Sequence, residues 1–146
     1  MKRIVWLFVF AVSLSLQVSA QSRPDFSGAW RGSTGPLTIK QSASTLTVTK
    51  GSDTRNYNLD GSESRWTNAN GSQMTAHVRW VQSALVVETR TSGAVGSWTD
   101  LEVYSLDHGT SSSAPRLSVV YVFTRETGPM MGTTVTTYSR ASPGSR

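Results

Sequence analysis

The chain contains no cysteine, which excludes disulfides, thiol nucleophiles and every cysteine-ligated metal site. Histidine is almost as scarce: His77 and His108 are the only two, and their spacing fits no metal-binding motif. There is no Gly-rich phosphate loop and no nucleophile elbow. No apolar stripe of helical period runs for ten residues without a turn signal. Charge is sparse, at 16% of residues, and the basic side chains stand singly with no basic run. The net charge of +5 therefore points to solubility, and no nucleic-acid partner is expected.

Long apolar runs are also missing, with one exception. Met1-Lys2-Arg3 is followed by an apolar stretch from Ile4 to Leu16, then Gln17-Val18-Ser19-Ala20. That stretch is too short to cross a bilayer, which takes ~20 residues as a helix. A basic start, a short apolar run and a small residue before the cut describe a secretory signal peptide over residues 1–20. Gln21 then begins the mature chain, and the absence of Cys at that position argues against lipidation. Loss of Lys2 and Arg3 leaves 12 basic against 9 acidic side chains, a net +3. The expectation is an exported protein, periplasmic or extracellular, with no membrane span after cleavage. Residues 21–140 form a single domain large enough to bury a core without covalent staples. Residues 141–146 form a disordered tail.

What the mature chain does have is Thr, Ser and Val broken at short intervals by Gly, Asn and Asp. Period-two alternation recurs, most clearly where Met74, Ala76, Val78 and Trp80 share one face. Ten strands are predicted, at 26–33, 36–41, 45–50, 54–59, 63–67, 72–80, 84–91, 97–106, 116–125 and 132–140. Hairpin loops fix register, and a one-residue slip turns every side chain to the other face. The loops place Trp30 opposite Leu37, Ile39 opposite Leu46, Val48 opposite Tyr57, and Tyr57 opposite Ser64. They also place Trp66 opposite Met74, Trp80 opposite Leu85, and, with a loop centred on Val95, Val87 opposite Val103. One face then carries Trp30, Leu37, Ile39, Leu46, Val48, Tyr57, Trp66, Met74, Val78, Trp80, Leu85, Val87, Leu101 and Val103. The fold class predicted is all-β, an up-and-down antiparallel meander closing into a barrel of about ten strands. A two-sheet sandwich is the other architecture this pattern allows. In the ninth strand, Leu117, Val119, Tyr121 and Phe123 face one way while Val120 and Val122 add apolar surface to the other.

The mature start, Asp25-Phe26-Ser27-Gly28-Ala29-Trp30, carries Gly-x-Trp on its first strand. It resembles the opening motif of the lipocalin and fatty-acid-binding barrels, and is similar to small exported bacterial proteins that begin Phe-Ser-Gly-x-Trp. The resemblance implies that Trp30 closes the base of a barrel and that a basic residue of the last strand stacks on it. Arg140, after Tyr138-Ser139, stands where that residue is needed. No helix follows the first strand or precedes the tail, unlike those families.

No catalytic residue, metal ligand or cofactor is expected. His77 falls on the outer face opposite Glu88, with Glu88 opposite Glu102 and Arg90 facing Asp100. Such a row outside a barrel would be wet and weakly coupled, with no pocket to hold a substrate. A binding function would lie inside, and its candidate residues are Arg55, Tyr57, Trp66, Met74 and Trp80. Arg55 has inward parity, facing Trp66; it serves either as an anchor for a ligand carboxylate or as a rim residue snorkelling to water. Met130-Met131 would sit on a rim loop as an apolar lip. The function expected is non-enzymatic: binding of a small, mostly apolar ligand in the barrel interior. The alternative is a filled barrel acting as an envelope or surface interaction module through an outer face such as Val120 and Val122.

Overall fold

A computed structural model describes residues 23–94, 96–109, 114–125 and 132–141. The expected signal peptide, Val95, Met130-Met131 and the tail beyond Ala141 lie outside the described residues. The ten strands are β1 (Gly28–Gly32), β2 (Gly35–Gln41), β3 (Thr45–Lys50), β4 (Asp53–Asn58), β5 (Ser64–Thr67), β6 (Gln73–Val81), β7 (Ala84–Gly93), β8 (Gly96–Asp107), β9 (Arg116–Arg125) and β10 (Gly132–Arg140). They form one antiparallel sheet in the order β4-β3-β2-β1-β10-β9-β8-β7-β6-β5. Sequence neighbours pair throughout except at β4 and β5, and the first and last strands pair instead. The meander thus curls into a nearly closed barrel whose one seam lies between β4 and β5.

The seam is pinched at one end. Asn58 donates from its backbone N to Ser64 Oγ (2.8 Å) and from Nδ2 to the Glu63 carbonyl (3.3 Å). The rings of Tyr57 and Trp66 meet edge-to-face across it, with centroids 5.9 Å apart. The expected hairpin pairing of Tyr57 with Ser64 is therefore replaced by side-chain contacts. Asp60 instead turns the chain by accepting from the backbone N and Oγ of Ser62.

Two hairpins differ from expectation by two residues: Ile39 pairs with Val48, and Val48 with Arg55. The second slip follows from a tight Gly51-Ser52 turn with Gly51 at φ +62°. An even slip leaves every side chain on its expected face. The β7–β8 hairpin differs by one residue, and the consequence is large. Its last pair is Gly93 with Gly96, so the connection holds two residues and Val87 meets Glu102, not Val103. Leu101 and Val103 therefore face outward, while Asp100, Glu102, Tyr104 and Leu106 face inward. Glu88 lies opposite Leu101 and Arg90 opposite Thr99, so the expected outer row of His77, Glu88 and Glu102 does not form. His77 does pair with Glu88 in the ladder, but its Nε2 lies 3.2 Å from Glu63 Oε2.

The base of the barrel is plugged by the segment that leads into β1. Phe26 is fully buried, stacked on Trp80 (5.9 Å, 12°) and tilted against Tyr104 (6.3 Å). Gln41 holds that segment from the end of β2, accepting from Phe26 N (3.1 Å) and donating to the Pro24 carbonyl (3.0 Å). Trp30 donates from Nε1 to the Phe26 carbonyl (3.0 Å). Its ring receives the Arg140 guanidinium at 5.0 Å, across the β1–β10 pair that closes the ring of strands. Arg140 also donates to the Ser27 carbonyl (3.2 Å).

A cation–π contact at an exposed guanidinium contributes about 0.5–1 kcal/mol. Arg140→Ala is expected to lower the melting temperature by about 2–4 °C for a domain of this size. Differential scanning calorimetry checks this; an unchanged transition would show that the β1–β10 closure does not depend on the stack.

Candidate functional site

The barrel interior is apolar at the plugged end and polar at the other. Between them lies a cavity of about 310 Å³, lined by residues of β2, β3, β4, β8, β9 and β10 and by Thr34 of the first turn. Aliphatic wall comes from Leu37, Val48 and Val119. All four tyrosines of the chain, Tyr57, Tyr104, Tyr121 and Tyr138, line it. Lys50 and Asp53 stand at its exposed rim, and Arg55 and Glu102 lie deeper.

The charged groups are organised around Arg55. Its Nε and Nη2 both lie 2.9 Å from Asp53 Oδ2, and its Nη1 lies 3.7 Å from Glu102 Oε1, beyond hydrogen-bond distance. Burial works against the Arg55 charge, but the Tyr57 oxygen, Glu102 and Asp53 more than offset it, so the guanidinium stays charged. Glu102 also accepts from the Tyr104 hydroxyl. Asp100, at 6% exposure, accepts from the Tyr121 hydroxyl at 2.7 Å. Tyr138 shares a hydrogen bond with Thr34 Oγ1 (2.8 Å).

Tyr57 is the exception among the four. Its residue is 1% exposed, and its buried hydroxyl has no well-formed hydrogen bond although Arg55 is close by. Such a group costs about 1–3 kcal/mol in desolvation when left unpaired. Burial pushes the Tyr57, Tyr104 and Tyr121 hydroxyls above the ordinary phenol value, with the nearby carboxylates adding to the effect. These groups are therefore neutral donors at physiological pH.

Of the residues expected inside, Arg55 and Tyr57 line the cavity. Trp66 and Met74 line a second groove, of about 640 Å³, at the open end of the β4–β5 seam, shared with Asp53 and Arg55. Trp80 is remote from both, stacked between Phe26 and the Arg23 guanidinium at 5.4 Å. Sequence reasoning missed Glu102, Tyr104, Tyr121 and Tyr138 as cavity residues. The available signal was that Tyr104 and Leu106 share the parity of Asp100 and Glu102. Among the described residues no group of three His, Asp or Glu side chains is arranged to hold a metal ion, and no helix is long and apolar enough to cross a membrane. No known protein family matches the chain, and no curated protein matches it significantly.

Burial raises the Asp100 pKa; the Tyr121 hydrogen bond and the Arg55 charge oppose this only in part. A carboxyl with a raised folded-state pKa stabilises the fold fully below its unfolded value, about 3.9, and that contribution is lost as pH rises through the folded value. Asp100→Asn keeps an acceptor for Tyr121 and removes the charge. The variant is expected to melt about 2–4 °C higher at pH 7, with the gain shrinking as pH falls towards 4. A lower melting point at pH 7 would mean that Arg55 needs the Asp100 charge.

Proposed function

We propose that this protein is an exported, non-enzymatic barrel that binds one small amphipathic molecule in its interior cavity. The observation that carries this reading is a cavity of about 310 Å³ whose lining joins the aliphatic Leu37, Val48 and Val119 to Arg55, Glu102 and the four tyrosines. That volume is at the lower end for small-molecule sites, which are concave and carry a few placed polar groups. The share of aliphatic wall is modest, so the ligand carries polar groups as well as an apolar body. Arg55 is already engaged by Asp53 and flanked by Glu102, which weakens its standing as a carboxylate anchor.

A second reading is favoured by the outer face. Val103, Val120 and Val135 are direct cross-strand neighbours over β8 to β10, and Leu101 faces Val122 beside them. Val135 is 62% exposed. An apolar row of this kind suits docking to an envelope partner. Under this reading, Val120→Lys combined with Val135→Lys shifts the protein from the membrane-associated to the soluble envelope fraction; an unchanged distribution removes it.

Native mass spectrometry of the protein purified from its own secretory compartment tests the first reading. A stoichiometric adduct released by organic extraction is expected. A clean apo mass, with no uptake of a fluorescent fatty acid, would overturn this reading.

A further inference from the structure

We infer that the ligand of the cavity is a small organic cation, an ammonium compound held by Glu102 and enclosed by the four tyrosines. This inference rests on the cavity being a binding site and assigns its chemistry. Three observations carry it. The first is charge. Arg55 is one cation facing both Asp53 and Glu102, and Asp100, outside the lining itself, accepts from the hydroxyl of the lining residue Tyr121. Even with Lys50 counted at the exposed rim, three carboxylates stand against two cations. One further cation is complementary to this interior and an anion is not.

The second is unused acceptor capacity. A carboxylate has about four lone-pair sites. Among the described residues Glu102 accepts one hydrogen bond, from Tyr104, while its other oxygen sees Arg55 only at 3.7 Å. Arg55 turns Nε and Nη2 to Asp53, so Glu102 is the interior charge left with room for a donor.

The third is composition. Every tyrosine of the chain contributes to the lining of this one space. Aromatic faces attract an ammonium group through their quadrupoles, by ~0.5–2 kcal/mol each according to desolvation. Three of the hydroxyls are directed by Glu102, Asp100 and Thr34, which fixes the ring orientations before a ligand arrives.

The test is isothermal titration calorimetry of the whole mature protein with three probes sharing one phenylethyl body: phenethylammonium, phenethyl alcohol and 3-phenylpropanoate. Phenethylammonium is expected to bind about tenfold tighter than the other two. Glu102→Gln is expected to abolish that preference. If Glu102→Gln fails to fold, Lys50→Gln on the exposed rim serves as the second variant, and phenethylammonium should then bind more tightly. Tightest binding of 3-phenylpropanoate, equal binding of all three, a preference that survives Glu102→Gln, or no tightening in Lys50→Gln would each overturn the inference and leave the cavity reading standing. Failure of all three probes to bind at millimolar concentration would count against both.

Discussion

A guanidinium placed inside a small barrel must be neutralised within the barrel, and Arg55 sets the terms for the residues around it. An isolated charge in a medium of low dielectric is prohibitively costly, so buried charges are found paired. Asp53 meets this need from the same strand, two residues earlier, at the edge where water still reaches. Glu102 approaches from β8, on the far side of the interior. A carboxylate brought inside to face a cation needs further donors, and Tyr104 supplies one. Asp100, two residues away on the same face, is drawn in by the same register and depends on Tyr121. The polar half of the interior is thus one linked set of charges and phenols, each member requiring the next.

Barrel closure explains why this polar half lies where it does. β1 and β10 zip the ends of the chain together, and Phe26, Trp30, Trp80 and Leu117 fill the base beneath them. That end excludes water. At the opposite end the β4–β5 seam carries no ladder, and its groove shares Asp53 and Arg55 with the cavity. An edge strand presents unpaired backbone groups that invite a partner. Here its inward side chains are charged, and the edge stays hydrated next to the residues that need water most. The gradient from dry base to wet mouth lets one sheet hold both a hydrophobic core and a charged pocket.

Strand count, the ten positions and the all-antiparallel meander were legible in the sequence because hairpin turns and period-two alternation agree over most of the chain. Trp30 opposite Leu37, Trp66 opposite Met74 and Trp80 opposite Leu85 stand in the ladder as their loops predict. The cavity was only half legible. Arg55 and Tyr57 could be placed, since an even slip in their hairpin keeps the face. Glu102 could not, because β8 is apolar on both sides: Leu101 and Val103 on one, Trp98, Tyr104 and Leu106 on the other. Hydrophobicity alone favours burying Leu101 and Val103. What decides against it is the neighbour β9, where Leu117, Val119 and Tyr121 need Leu106, Tyr104 and Glu102 opposite them. The counter-charge that Arg55 requires points the same way. Neither is visible from the β7–β8 loop, where a connection of two residues rather than three inverts the strand.

The same inversion links the two surfaces on which function can be sought. Turning β8 by one residue brings Asp100 and Glu102 into the barrel and puts Leu101 and Val103 outside. There Val103 falls between Val86 and Val120, and Val120 in turn meets Val135. A row of four cross-strand valines contributes to sheet stability through side-chain contact even in water, each pair by about 0.2–1 kcal/mol. That gain offsets part of the cost of taking two carboxylates inside. It also means the outer row has a structural reason to exist without any partner. Of the two surfaces, the interior is the one that leaves space beside charged groups, a cavity of about 310 Å³ lined by Arg55 and Glu102, and that asymmetry favours the cavity over the outer face as the seat of function.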